Sequence, residues 1–115
     1  MEINIIERDK VTIAAVSGNL DGNTVPQAQE VIMPIITPNF LLVLDMQQCH
    51  YISSAGLRLL LMIGKLFSNN GGRGVLACLS EEIKDVMEMT GFDHIFEDYE
   101  TVSAAIDAIQ KKIPC

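Results

Sequence analysis

Positive charge is scarce in this chain: Lys and Arg together number 8 against 15 Asp and Glu, for a formal net charge of −7. That field repels a phosphate backbone and an anionic membrane surface, which argues against nucleic acid and lipid headgroups as partners. A protein partner with a basic face stays open. Charged residues of both signs make up only 20% and apolar residues 49%, the reverse of a disordered composition. Cysteine is limited to Cys49, Cys78 and Cys115. An odd number without close ligand spacing supports neither a disulfide framework nor a zinc site, and reduced thiols are expected, with Cys78 in the core. Long apolar runs are missing too: the longest, at 40–44 and 59–63, fall far short of the roughly 20 residues that span a bilayer. The start, Met1-Glu2-Ile3-Asn4, has neither the basic nor the apolar part of a signal peptide, so a cytoplasmic protein is expected.

What is present suits one α/β domain over residues 1–115. Ile3 and Ile5 alternate with polar residues, Arg8-Asp9-Lys10 is a polar turn, and residues 11–16 read as a second strand, giving an N-terminal hairpin. A Gly/Asn/Asp-dense loop follows at 17–23. Thr24 with Gln27 three residues on has the pattern of a capping box, and Val25, Ala28, Val31 and Ile32 then recur at helical spacing until Pro34 and Pro38. Residues 40–44 suit a strand buried on both faces and ended by Asp45. After a polar loop at 47–53, Ser53 or Ser54 caps a helix running to about Ser68, stopped by Asn69-Asn70-Gly71-Gly72. Residues 74–79 read as another buried strand. Ser80 caps a helix whose first turn holds Glu81 and Glu82, which carries Ile83, Val86 and Met87 on one face and which ends near Gly91. A short edge strand is expected at 95–98. Thr101 opens a last helix with Val102, Ala105, Ile106 and Ile109 on one stripe, and with Lys111 and Lys112 at its cation-favouring end. Alternating strands and helices imply a mostly parallel central sheet of four to five strands, right-handed crossovers and about four helices.

The informative stretch is residues 44–61: a strand ending in a carboxylate, a loop, then two serines opening a very apolar helix. In parallel α/β sheets function collects at the carboxyl ends of strands. The free N–H groups of a helix start favour an anion, so a phosphate on Ser54 would be well tolerated. It would add about −1.5 to −2 charge to an otherwise neutral face, and partner docking there would respond to it.

Here the chain resembles the STAS family, the small domain of bacterial anti-sigma factor antagonists and of sulfate-transporter tails. The resemblance runs nearly the full length. It rests on Leu44-Asp45, on Ile52-Ser53-Ser54-Ala55-Gly56-Leu57, on Gly18-Asn19-Leu20-Asp21 and on Thr90-Gly91-Phe92-Asp93-His94-Ile95-Phe96. It implies a partner-switching protein. Such a protein binds an anti-sigma factor, a GHKL-type serine kinase, when unphosphorylated, and releases it once phosphorylated at Ser54. A PP2C-type phosphatase restores it. It is the substrate of this cycle and no catalyst, and needs no cofactor or metal. The contact residues implied are Asp21, Asn23, Ser53, Ser54, Ala55, Gly56, Leu57 and Leu61, with Asp45 structural at its strand end. Ser53 stands where the family usually has Asp, and Ala55 where it has Ser or Thr. The alternative is a non-catalytic STAS subunit of a lipid or anion transport complex that binds a cytoplasmic ATPase. A monomer or weak dimer is expected, without nucleic acid or membrane insertion.

Plainer roles stand beside these. Ser54 suits a helix cap as well as a switch, and the two are compatible. Asp21 in its turn commonly bonds its own backbone. The helix at 55–67 has more apolar positions than one stripe needs, so it is either buried on most sides or shows a docking patch near Leu57 and Leu61. His50 beside Cys49 and the two serines lacks a Gly-x-Ser-x-Gly elbow, which argues against a hydrolase. Gly71-Gly72-Arg73-Gly74 lacks the Gly-Lys-Ser/Thr ending of a P-loop and reads as a helix stop.

Overall fold

A computed structural model describes residues 1–111. Elements follow in the order β1 (Glu2–Arg8), β2 (Val11–Ser17), α1 (Val25–Ile32), β3 (Leu41–Gln48), α2 (Ser54–Asn70), β4 (Arg73–Ala77), α3 (Glu81–Thr90), β5 (Asp98–Tyr99) and α4 (Val102–Lys111). The sheet order β1-β2-β3-β4-β5 is the chain order. The β1–β2 hairpin is antiparallel and every later pairing is parallel, so the sheet is mixed at one edge only.

Chain-order strands joined by right-handed crossovers place all their connecting helices on one face. The packing has that form. Ala14, Val16, Leu42, Leu44, Met46 and Leu76 meet the buried residues of α1, α2 and α3. On the other face Val11, Ile13, Val43, Val75 and Ala77 meet Ala105, Ile106 and Ile109 of α4. The run Leu42-Val43-Leu44 alternates between these two cores, which is why it is apolar without a break.

Asp9 and Lys10 both have positive φ, 54° and 68°, as a two-residue turn between twisted strands requires. At the end of α2, Gly72 has φ +85°, and a Cβ there would lie 2.2 Å from the Phe40 carbonyl oxygen. Only glycine turns the chain into β4 this close to β3.

Several expectations need correction. The Thr24 side chain does not cap α1. Its hydroxyl instead accepts the Asp21 N–H and donates to the Asn19 carbonyl, and Gln27 reaches the Met1 carbonyl, so the capping box is absent. β3 continues past Asp45 to Gln48, because Met46 is still core. β4 is Arg73–Ala77: the chain leaves the ladder at Cys78, where φ is +61°. The edge strand is Asp98–Tyr99 rather than 95–98, since Phe92–His94 forms a 3-10 turn that buries Phe96. Cys78 is half-buried; Cys49 is the fully buried thiol. Thr101 caps α4 by accepting the Ala104 N–H. The expectations for the charges of Lys111 and Lys112 and for Cys115 lie outside the described side chains.

Leu60 lies wholly inside the larger core, whereas Leu61 is half-buried. Leu60→Ala should cost about 2–5 kcal/mol in urea denaturation, and Leu61→Ala less than half as much.

Candidate functional site

The carboxyl ends of β2 and β3 lead into two loops that are joined through backbone. Gly18 donates its N–H to Gln48 O (3.0 Å), Leu20 to Tyr51 O (3.0 Å), and Ser53 donates to Leu20 O (2.8 Å). Leu20 and Ile52 thereby form a parallel bridge beyond the sheet. Both residues are buried, which anchors the bridge to the core below.

On the first loop Asp21 organises the turn. Its Oδ1 accepts the N–H groups of Asn23 (2.9 Å) and Thr24 (3.2 Å), and its carbonyl accepts that of Val25 (2.9 Å). Asp21 therefore starts α1 in the place the Thr24 hydroxyl was expected to take. It is half-buried, and Asn23 beside it is exposed.

On the second loop Ser53 is the N-cap of α2, with Oγ accepting the Gly56 N–H at 3.4 Å. Ser54 is the first helical residue and is exposed; its hydroxyl makes no hydrogen bond within the described residues. The cap and the free hydroxyl are thus separate residues. Gly56 is buried, and a Cβ there would lie 2.6 Å from Ile52 Cγ1 and 2.8 Å from the Leu20 carbonyl oxygen. The start of α2 presses directly on the loop bridge, and glycine at 56 permits it.

Ser54, Leu57, Arg58 and Leu61 share one stripe of α2 at i, i+3, i+4 and i+7. Ser54 and Arg58 are exposed, and Ala55, Leu57 and Leu61 are half-buried. Of the two readings of this helix, Leu59, Leu60, Ile63 and Phe67 fill the core, and Leu57 and Leu61 stay partly open.

The structure brings Asp21, Asn23, Ser53, Ser54, Ala55, Gly56 and Leu57 to one end of the sheet. Asp45 is elsewhere. It shares the strand face of Val43, toward α4, where it accepts the Gln47 N–H at 3.1 Å and lies against Cys78. Burial raises the Cys78 thiol pKa, and the Asp45 charge and hydrogen bond raise it further. Burial also raises that of Cys49, whose Sγ faces the Tyr51 carbonyl.

Sequence reasoning passed over Tyr51 and Arg58. Tyr51 is 54% exposed, an aromatic ring in water two residues before the capping serine. The available signals were an aromatic within a polar loop and a cation four residues after Ser54. His50 is exposed as well. It faces α3, where Glu82 is held in its charged form by its own N–H, then by the Ser80 hydroxyl and by His50. Among the described residues no His/Cys/Asp/Glu group is arranged to hold a metal, and no helix is long and apolar enough to cross a membrane.

Comparison with known proteins agrees with this fold. The family model of the STAS domain matches residues 2–105. BtrV of Bordetella bronchiseptica, which carries the name of an anti-sigma factor antagonist, is 30% identical over 115 residues, 99% of each chain. Among solved structures, an anti-sigma factor antagonist from Mycobacterium paratuberculosis superposes with a TM-score of 0.85 at 23% identity, over 95% of this chain and 93% of that one. The antagonist SpoIIAA in its unphosphorylated form gives 0.77 at 18% identity, over 98% and 100%. The chain belongs to the STAS domain family.

Gly56→Ala should cost about 1–3 kcal/mol in denaturant melts, as overpacking does, and should speed amide exchange at Leu20 and Ser53. At pH 8 Cys78 should be alkylated more slowly than a free cysteine, since a raised pKa leaves less thiolate. Peptide mass spectrometry after iodoacetamide treatment reads this site by site.

Proposed function

We propose that this chain is an anti-sigma factor antagonist that works by partner switching. Unphosphorylated, it binds an anti-sigma factor of the GHKL serine-kinase type. Phosphorylation at Ser54 releases that partner, and a PP2C-type phosphatase restores binding. The chain is the kinase's substrate and carries out no chemistry itself. Its place is the cytoplasm, where those partners act.

The observation that carries this reading is the division of labour at the start of α2. Ser53 caps the helix, so the exposed Ser54 hydroxyl is free for a kinase. A phosphate on the first helical residue sits in the positive field of the helix start, so the fold tolerates it. The 30% identity to BtrV over the whole chain supports the reading independently.

The docking surface has a consistent physical form. Leu57 and Leu61 offer partly open apolar area, and Asp21 and Asn23 flank it across the loop bridge. Ala55 and Gly56 keep the approach to the helix start low. A phosphate adds about −1.5 to −2 charge at the edge of this patch. A partner surface packed against leucine side chains and a neutral serine loses more by desolvating that charge than it gains. Ser53, in place of an acidic residue, removes one negative charge beside the phosphate and leaves the cap intact.

Pull-downs from lysate of the source organism with wild-type, Ser54→Ala and Ser54→Asp baits test the proposal. A GHKL-type kinase held by wild type and Ser54→Ala, and bound at least about tenfold more weakly by Ser54→Asp, a change of about 1.4 kcal/mol, is the expected result. A transporter ATPase held equally by all three baits would replace it with the transport-subunit role and leave Ser54 a plain surface residue.

A further inference from the structure

The two edges of the sheet are unlike. β5 is two residues long and acidic in its surroundings, with Glu97, Asp98 and Glu100. A short charged strand is a blunted edge that resists further pairing. β1 is seven residues long, pairs with β2 without a bulge, and contains no proline. Its burial differs from that of every other long strand: Ile3 alone is half-buried and the rest is exposed, with Ile5 at 40% and Ile6 at 57%. Ile5 lies opposite Ala14 and Ile6 opposite Ile13, which belong to the two different cores. The strand thus projects beyond both helix layers and leaves an isoleucine uncovered on each face.

The backbone of this edge has a definite polarity. Asp9 and Lys10 form the two-residue turn, so Arg8 and Val11 are the pair that exchanges hydrogen bonds across it. Such pairs alternate along an antiparallel ladder. Arg8, Ile6, Asn4 and Glu2 therefore bond β2, while the N–H and C=O groups of Ile3, Ile5 and Glu7 point outward. Among the described residues none of these outward groups has a partner.

We propose that β1 is a self-association edge, at which two copies of this chain pair antiparallel about a twofold axis through Ile5 to form one continuous sheet. In this register Ile5 meets Ile5 of the second copy, and Ile3 meets Glu7. Every outward N–H then finds an outward carbonyl. On the α4 face Glu2 stands opposite Arg8 of the second copy, so opposite charges pair at both ends. Arg8 already lies on that face, with its guanidinium donating to Ser103 Oγ at 3.2 Å. The two Ile6 side chains fall on a diagonal within contact range. Moving the register by one residue breaks the match, because outward groups would then face residues committed to β2. The sequence of the strand is self-complementary in charge, hydrogen bonding and apolar area, as an isologous interface demands. The antiparallel arrangement points the two α2 starts in opposite directions, so each copy keeps its own partner surface.

Sedimentation velocity and amide exchange over a concentration series to ~1 mM, a range that detects weak dimers, test this. Wild type should dimerise, and the amides of Ile3, Ile5 and Glu7 should gain protection with concentration. Glu2→Lys should weaken the dimer about tenfold or more, and Glu2→Lys with Arg8→Glu should restore it. Ile5→Pro, which removes an outward donor and no bond to β2, should leave a folded monomer by circular dichroism. A wild type that stays monomeric throughout would overturn the proposal. So would a dimer that is indifferent to both Glu2→Lys and Ile5→Pro, which would use another face.

Discussion

Strands β2, β3 and β4 are covered on both faces, and that constraint organises the rest of the molecule. Every position along their central spans must be apolar or small, and no polar or charged side chain is buried among the described residues. Groups able to do anything other than pack are pushed to the ends of the sheet, to its edges and to the exposed helix stripes. The end where β2 and β3 finish receives the start of α2, whose unpaired N–H groups are a fixed polar feature of that end. That is the physical reason a negative charge on a serine there would leave the core undisturbed.

Precision at this end comes from backbone rather than side chains. The Leu20–Ile52 bridge and the bond from Ser53 N–H to the Leu20 carbonyl tie the two loops together, and Gly56 lets the helix close on them. The capping bond of Ser53 then sets the first helical residue, and the exposed hydroxyl of Ser54 follows from it. Asp21 carries out the equivalent task for α1. Its carboxylate is partly spent on the turn, so any partner contact it makes is shared with a structural duty. The opposite constraint applies at β1. There the helix layers cover little of the strand beyond a half-buried Ile3 and the contact of Arg8 with Ser103, and the unpaired backbone edge is the chemistry that remains.

Much of the fold was legible from the residues alone. The unbroken apolar run around Leu42-Val43-Leu44, the Ser80 and Gly91 boundaries of α3 and the stripe Val102, Ala105, Ile106 and Ile109 on α4 all express local rules of periodicity and capping. The errors have tertiary causes. Thr24 and Gln27 fit a capping box, but the Asn19 and Met1 carbonyls outcompeted the helix for their side chains. Asp45 looked like the end of a strand, but pairing with β2, which reaches Ser17 opposite Gln48, carried β3 onward. Phe96 looked like a strand residue and was drawn into the core by a helical turn. Cys78 looked like core, and the left-handed step that ends β4 turned it partly outward.

The sequence by itself determined the class of fold, the order of elements, the boundary at Ser53 and Ser54 and the acidic character of the surface. Those follow from side-chain polarity, residue spacing and charge, which are local or additive properties. Tertiary structure alone decided which serine caps and which is free, that Asp45 lies on the α4 side away from Ser54, and that Tyr51 and Arg58 stand in solvent near it. It also decided that β1 is an uncovered edge, although its isoleucines read like those of any half-buried strand. Each of these depends on which backbone groups and helix layers arrive from distant parts of the chain, and no local pattern encodes that arrival.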